Sequence, residues 1–166
     1  MNSTLRRGLI VAAIHVAIVA SLGAKLLVDR ATRPRVWARA APADPSLPIR
    51  GRYVSLRIEA TRGPDLPNEL SRWVRVTLSE NDGRLVASSA GDGPGLNARV
   101  VERSGERVIV VNEPVAYFIP EHAVDPSRRA ADEELWVQVT IPRAGAPRPI
   151  RLGVKKDGLI TPLDVR

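Results

Sequence analysis

The sequence of 166 residues contains no cysteine. This absence excludes disulfide bonds, thiol catalysis, thiolate metal sites and acylation of the kind found in lipoproteins. A soluble part of about 125 to 135 residues is still large enough to bury a core without such a staple. The sequence therefore predicts one soluble domain that folds through its own packing.

Basic side chains other than arginine are scarce. Lysine occurs only at Lys25, Lys155 and Lys156, and the soluble part has His122 as its one histidine. A serine nucleophile needs a positioned base, and no glycine-flanked serine elbow is present in the sequence. We therefore expect a binding protein rather than an enzyme, with a hydrolase or ligand-binding domain of unfamiliar motif as the alternative.

The polar clusters of the chain do not match known cofactor or metal patterns. Glu121, His122 and Asp125 offer oxygen and imidazole ligands, but one histidine does not make a usual zinc site, so we interpret them as a solvated loop. The run 92–95 (DGPG) lacks the lysine of a phosphate-binding loop and is typical of a turn. We predict no catalytic residue, no metal and no cofactor.

The formal charge is +7. No block of five or six like charges is present, and arginines alternate with apolar residues in runs such as 99–103 (RVVER), which is typical of a solvated sheet face. We therefore predict no nucleic-acid partner. The basic residues between Arg30 and Arg39 are candidates for contact with lipid headgroups.

One long apolar run stands near the N-terminus. Residues Leu9–Val28 hold only His15, Ser21 and Lys25 as polar or charged members. Twenty helical residues cross a hydrocarbon core of about 30 Å, so the run predicts a transmembrane anchor behind a short tail over residues 1–8. The predicted partner of this segment is the lipid bilayer.

Two questions about this anchor stay open at the level of sequence. Small residues allow a signal-peptide cut after Gly23 or Ala24, although the apolar run resumes beyond them and favours an uncleaved anchor. Positive charges flank both ends of the run, so charge alone does not decide which side of the membrane the C-terminal domain occupies.

Beyond the anchor, the sequence predicts an extended Pro/Ala-rich connector over residues 29–48 and a β-rich soluble domain over 49–166. Alternating apolar and polar residues predict strands at Tyr53–Glu59 and Leu135–Ile141. Glycine-bearing turns predict three hairpins. They centre on the turns 81–83 (NDG), 104–106 (SGE) and 156–158 (KDG).

This pattern predicts a mainly β domain, an antiparallel sandwich or partly closed barrel, preceded by one N-terminal transmembrane α-helix. Short helical turns are expected at Asp65–Ser71 and at Asp125–Glu134. In strand Tyr53–Glu59, the alternation sends Val54, Leu56 and Ile58 to the core.

Two motifs resemble those of the bacterial membrane-anchored GDYXXLXY proteins. The first lies in Asp44-Pro45 and the following run 50–58 (RGRYVSLRI), and the second is Tyr117–Glu121 (YFIPE). Gly51, Tyr53 and Leu56 match the naming motif, whereas Arg52 replaces its aspartate and Ile58 its final tyrosine. We interpret the matching residues as structural: a turn, a packed ring and a core leucine.

The resemblance implies a single-pass protein of the bacterial inner membrane, with its C-terminal domain outside the cytoplasm and a multi-pass membrane protein as its companion. It implies no established activity. Within Tyr117, Phe118, Ile119, Pro120 and Glu121, the only phenylalanine of the chain is either a core residue or part of a partner-binding site. We favour the core, because Val115 begins a strand that needs an inward face.

Overall fold

The computed structural model describes residues 3–43, 52–130, 132–143 and 145–165. The chain divides into two compact units, Met1–Arg33 and Pro34–Arg166. The first is helical and the second is built from strands. Predicted features at residues 44–51, including Gly51, lie outside the described residues.

A single helix, α1 (Ser3–Thr32), forms the first unit. Its segment Arg6–Lys25 has a mean hydropathy of 1.9, none of it is buried, and it is long and apolar enough to cross a membrane. The helix extends beyond the predicted anchor at both ends, so the predicted tail over 1–8 is largely helical. His15 Nδ1 lies 2.8 Å from the carbonyl oxygen of Val11, one turn earlier, which provides the ring with a hydrogen bond inside the helix.

Ten strands form the described part of the second unit. They are β1 (Arg35–Pro42), β2 (Tyr53–Arg62), β3 (Trp73–Asn81), β4 (Arg84–Ser89), β5 (Leu96–Arg103), β6 (Glu106–Val111), β7 (Val115–Phe118), β8 (Glu134–Thr140), β9 (Arg148–Lys156) and β10 (Leu159–Pro162). The hydrogen-bonded order β1-β4-β3-β5-β6-β2 closes on itself through the pairing of β2 with β1. The domain is thus a closed six-stranded barrel, extended by β8, β9 and β10 beside β1 and by β7 beside β2.

The structure corrects the predicted connector over residues 29–48. The helix reaches Thr32, and residues 35–42 form the barrel strand β1, which pairs with both β8 and β2. Val36, Ala38 and Ala40 alternate into the core. Proline and alanine suggested a solvated linker, but the small alanine side chains fit where strands pack closely, and Pro42 stands at the strand end, where a missing ladder donor is tolerated.

The three predicted hairpins are confirmed. They are β3–β4, β5–β6 and β9–β10, each antiparallel and joined by a tight turn. At each turn a residue with φ of 50° precedes a glycine: Asp82 before Gly83, Ser104 before Gly105, and Asp157 before Gly158. Positive φ at both positions matches the right-handed twist of the flanking strands, which is why these residue pairs marked the turns in the sequence.

The core fills the barrel and continues under β8 and β9. Its fully buried side chains include Leu56, Ile58, Ile109 and Leu152. Leu66, on the loop after β2, is 4% exposed and belongs to the same core cluster. The helical turns expected at Asp65–Ser71 and Asp125–Glu134 are non-helical turns and bends in the described residues.

Candidate functional site

Two residues of the predicted motif, Tyr53 and Leu56, lie in the first half of β2. Tyr53 is half-buried at the start of the strand, and Leu56 is fully buried in the core. The predicted polar face of this strand is also covered, because Ser55 and Glu59 are buried. Strand β2 is therefore covered on both faces at these positions.

Arg52, which replaces the aspartate of the motif, holds the loop that follows β7. Its guanidinium group donates a hydrogen bond to the carbonyl oxygen of Glu121. In the same loop, hydrogen bonds from the backbone N–H and hydroxyl of Ser127 lower the pKa of Asp125, with smaller contributions from Arg128 and Arg52. Arg52 therefore has a structural role, which is to hold this loop in place.

The core interpretation of Phe118 is wrong. Its side chain is 58% exposed, whereas Ile119, the next residue, is 7% exposed and lies in the core. Tyr117 is half-buried against that core, and Pro120 and Glu121 are exposed. Side chains of a strand point to alternate faces. Counting from the buried Val115, residues 117 and 119 point inward and residue 118 points outward, whatever the size of its ring.

The exposed Phe118 forms an aromatic pair with the half-buried Tyr53. Their ring centroids are 6.2 Å apart with an interplanar angle of 54°, a tilted arrangement within the favoured range. The two residues are cross-strand partners in the register of β2 and β7. Among the described strands, β7 pairs only with β2 and is the last strand of the hydrogen-bonded order. The aromatic pair therefore lies at the edge of the sheet that β7 forms.

A second feature is a cleft of about 700 Å³ in the barrel domain. Its walls come from seven strands, which are β1, β2, β4, β6, β8, β9 and β10, and from the tips of the β3–β4 and β5–β6 hairpins. We call it the charged cleft and define it by six residues: Trp37, Arg39, Glu59, Arg103, Glu134 and Trp136. A cleft of this volume accommodates a small or oligomeric ligand.

Glu59 is the centre of an ion-pair network in the charged cleft. Its side chain is 5% exposed, and its Oε1 accepts a 3.1 Å hydrogen bond from Nε of Arg103. Nε of Arg39 lies 3.9 Å from the other oxygen, Oε2, which has no hydrogen-bond partner within the described part of the chain. Arg39 also contacts Oε1 of Glu134 at 3.2 Å, so it links the two carboxylates.

Trp136 extends this network. Its Nε1 donates a 3.1 Å hydrogen bond to Oε2 of Glu134, and Nζ of Lys155 lies 4.8 Å from its ring centroid, a cation–π contact. The polar groups of the cleft thus hold one another in place.

The sequence did not reveal the charged cleft. Its residues come from distant segments, and their polar side chains look like ordinary outward positions of alternating strands. The one available clue is that both tryptophans outside β3 stand among arginines and glutamates in strand-like runs. Among the described residues, no group of three or more histidine, aspartate or glutamate side chains is placed to hold a metal ion.

Comparison of the chain with family models, curated proteins and solved structures finds no match. The resemblance to the GDYXXLXY proteins therefore stays a prediction. The aromatic pair and the charged cleft carry the functional argument by their geometry alone.

Proposed function

We propose that this protein is a membrane-anchored, extracytoplasmic barrel domain that binds a protein partner in the cell envelope without catalysing a reaction. The observation that carries the proposal is the aromatic pair. Aromatic residues make up 4% of the chain, yet its only phenylalanine stands 58% exposed against a tyrosine ring. Exposed aromatic anchors are the residues on which protein interfaces concentrate binding energy.

Anchoring is supported by α1. Large apolar side chains such as Leu9, Val16 and Leu22 are exposed along it, a surface that suits lipid rather than water. The full-length protein should resist carbonate extraction from membranes. Recovery of the intact chain in the aqueous fraction would contradict the anchor.

The side of the membrane is tested by labelling. The chain has no cysteine, so Ser104→Cys at the exposed β5–β6 turn provides a single thiol. A membrane-impermeant maleimide should label it in intact spheroplasts. Labelling only after lysis would place the barrel in the cytoplasm and contradict the proposal.

The partner site is tested by capture from membranes in mild detergent. Wild-type protein should capture a multi-pass membrane protein that in turn captures this chain in the reverse experiment. Phe118→Ser should abolish capture, whereas Leu159→Ser, which removes an exposed apolar side chain from β10, should retain it. Equal capture by both variants would exclude the aromatic pair as the site.

A second candidate function, ligand binding, is favoured by a separate observation. The charged cleft has a volume of about 700 Å³, and the half-buried rings of Trp37 and Trp136 lie on its wall among charged side chains. Clefts of this volume with aromatic walls and a few fixed polar groups are where small molecules bind.

A further inference from the structure

The helix α1 has an ionisable side chain at the middle of its apolar segment. The segment runs from Arg6 to Lys25, and His15 lies halfway between these two residues. At a rise of about 1.5 Å per residue, His15 is about 14 Å from either end, which corresponds to the centre of a hydrocarbon core of about 30 Å. Ionisable residues at such a depth are costly, and they usually have a partner that compensates for the cost.

The helix itself sets the tautomer of His15. Nδ1 of the ring lies 2.8 Å from the carbonyl oxygen of Val11. A carbonyl oxygen only accepts hydrogen bonds, so Nδ1 carries the single hydrogen of the neutral ring and Nε2 is left as an acceptor. In the described part of the chain, His15 has no hydrogen bond other than the one to Val11. Nε2 therefore needs a donor from outside the helix.

The other polar side chains of the segment do not have this need. The hydroxyl of Ser21 donates a 2.8 Å hydrogen bond to the carbonyl oxygen of Ile18, so its one hydrogen is used within the helix. Lys25 is at the end of the segment, where its long stem lets the ammonium group reach the polar interface. His15 is thus the position at which the segment asks for a polar partner inside the membrane.

The surroundings of His15 restrict the source of the donor. Lipid tails have no N–H or O–H group, and the hydrocarbon core has no water to provide one. A second copy of this chain has the same tautomer, so a symmetric contact at His15 would bring two acceptors together. A transmembrane helix of another protein can place a hydroxyl or amide donor at this depth. The small residues Gly8 and Ala12 precede His15 on the same face, and the space beside Gly8 is open, so a second helix can approach closely.

Given the membrane span of the proposed function, we propose that His15 is the contact through which α1 binds a transmembrane helix of another membrane protein. In this contact Nε2 of His15 accepts a hydrogen bond from a hydroxyl or amide side chain of that helix. The contact lies within the bilayer and is separate from the aromatic pair of the barrel.

The test uses the full chain in membranes of the source organism, with photoreactive benzoylphenylalanine in place of one exposed residue of α1. Val19 follows His15 by one turn on the same face, and Ile10, the control, lies on the opposite face. On irradiation, the probe at position 19 should form an adduct with another protein, and the probe at position 10 should form none. Mass spectrometry should place the adduct on a transmembrane helix that has a hydroxyl or amide side chain.

Two variants test the hydrogen bond. His15→Leu keeps the segment apolar but removes the acceptor, and it should lower the adduct yield at least about threefold, as expected for one interhelical hydrogen bond. His15→Gln retains an acceptor and should restore most of the yield. Adducts with lipid alone or with a second copy of this chain, or an unchanged yield in His15→Leu protein, would overturn the proposal. Absence of the adduct with retained capture in detergent would overturn this contact alone, whereas a retained adduct with equal capture by Phe118→Ser and Leu159→Ser would exclude the aromatic pair alone.

Discussion

The indole ring of Trp37 lies directly against the backbone of Gly153. A methyl group on Gly153 would stand 2.8 Å from Cζ3 of that ring and 3.1 Å from the carbonyl oxygen of Thr161. The first distance is shorter than Cβ atoms adopt in proteins, and the second is tighter than most Cβ contacts, so only glycine lets the ring reach this position on β9. The wall of the charged cleft at Trp37 therefore depends on a residue that does not line the cleft.

Gly153→Ala should displace the ring and destabilise the barrel by about 1 to 3 kcal/mol through overpacking. For a domain of this size, that lowers the melting temperature by roughly 3 to 15 °C. In a Trp37→Leu background the same substitution should cost clearly less, because the ring clash is gone. An equal cost in both backgrounds would assign the strain to Thr161 instead.

Phe118→Ala and Ile119→Ala should differ sharply in their effect on stability. Phe118 is mostly exposed, so its loss should change the free energy of unfolding by less than about 1 kcal/mol. Ile119 is in the core, and its truncation should cost roughly 2 to 5 kcal/mol. Thermal melts of the two variants decide the matter. A larger loss for Phe118→Ala would restore the core interpretation of the ring.

The pair Glu59–Arg103 should couple more strongly than the pair Glu69–Arg72. Glu59 is buried, whereas both members of the second pair are more than half exposed. A double-mutant cycle with Gln at each position should give about 1 to 2 kcal/mol for the first pair. The exposed pair should give at most about 0.5 kcal/mol, as solvent screening predicts. Equal coupling energies would show that Glu59 is effectively solvated.

The loop after β7 should make the stability of the domain fall as the solution becomes acidic. Because the pKa of Asp125 is lowered in the folded state, its contribution is complete above its unfolded value of about 3.9 and is lost as pH falls through the folded pKa. Asp125→Asn should therefore flatten the decline in unfolding free energy below about pH 4. Denaturant titrations at several pH values measure the unfolding free energy of each variant. Asp92→Asn, in another loop, is the control. Coincident wild-type and Asp125→Asn curves would contradict the prediction.

Deletion of the helix should leave a folded barrel only if β1 is retained. A fragment that starts at Pro34 keeps all ten strands and should show a cooperative melt. A fragment that starts at residue 49, the boundary predicted from sequence, lacks the strand that closes the ring and pairs with β8, and should aggregate. Equal melting of the two fragments would show that β1 is dispensable.

Much of the fold was predictable from local chemistry. The three hairpins were found because their turns need residues that tolerate positive φ, and such residues are conspicuous in a sequence. Strand β1 was missed because its inward residues include Ala38 and Ala40, whose burial follows from strand crowding rather than from hydrophobicity. The barrel closure depends on the pairing of β1 with β2, which no local pattern encodes.

The candidate sites were harder to predict from local sequence patterns. Counting alternate positions from Val115 would have predicted that Phe118 faces outward. The prediction instead followed the general preference of large aromatic rings for the core. The charged cleft depends on which strands lie side by side. Glu59 meets Arg39 and Arg103 only because β2 neighbours β1 and lies close to the β5–β6 turn in the closed ring.

The position of β1 has a consequence for the order of folding. Arg35 on β1 pairs with Thr140 on β8. These residues are far apart in sequence, so most of the chain must be synthesised before β1 can pair with β8. The hairpins β3–β4 and β5–β6 close short loops and can form first, whereas contacts of large sequence separation pay more loop-closure entropy and form slowly. During synthesis, we therefore expect β1 to keep one edge unpaired until β8 is made. Charged residues on such an edge oppose association with another chain, and β1 has arginines at 35 and 39.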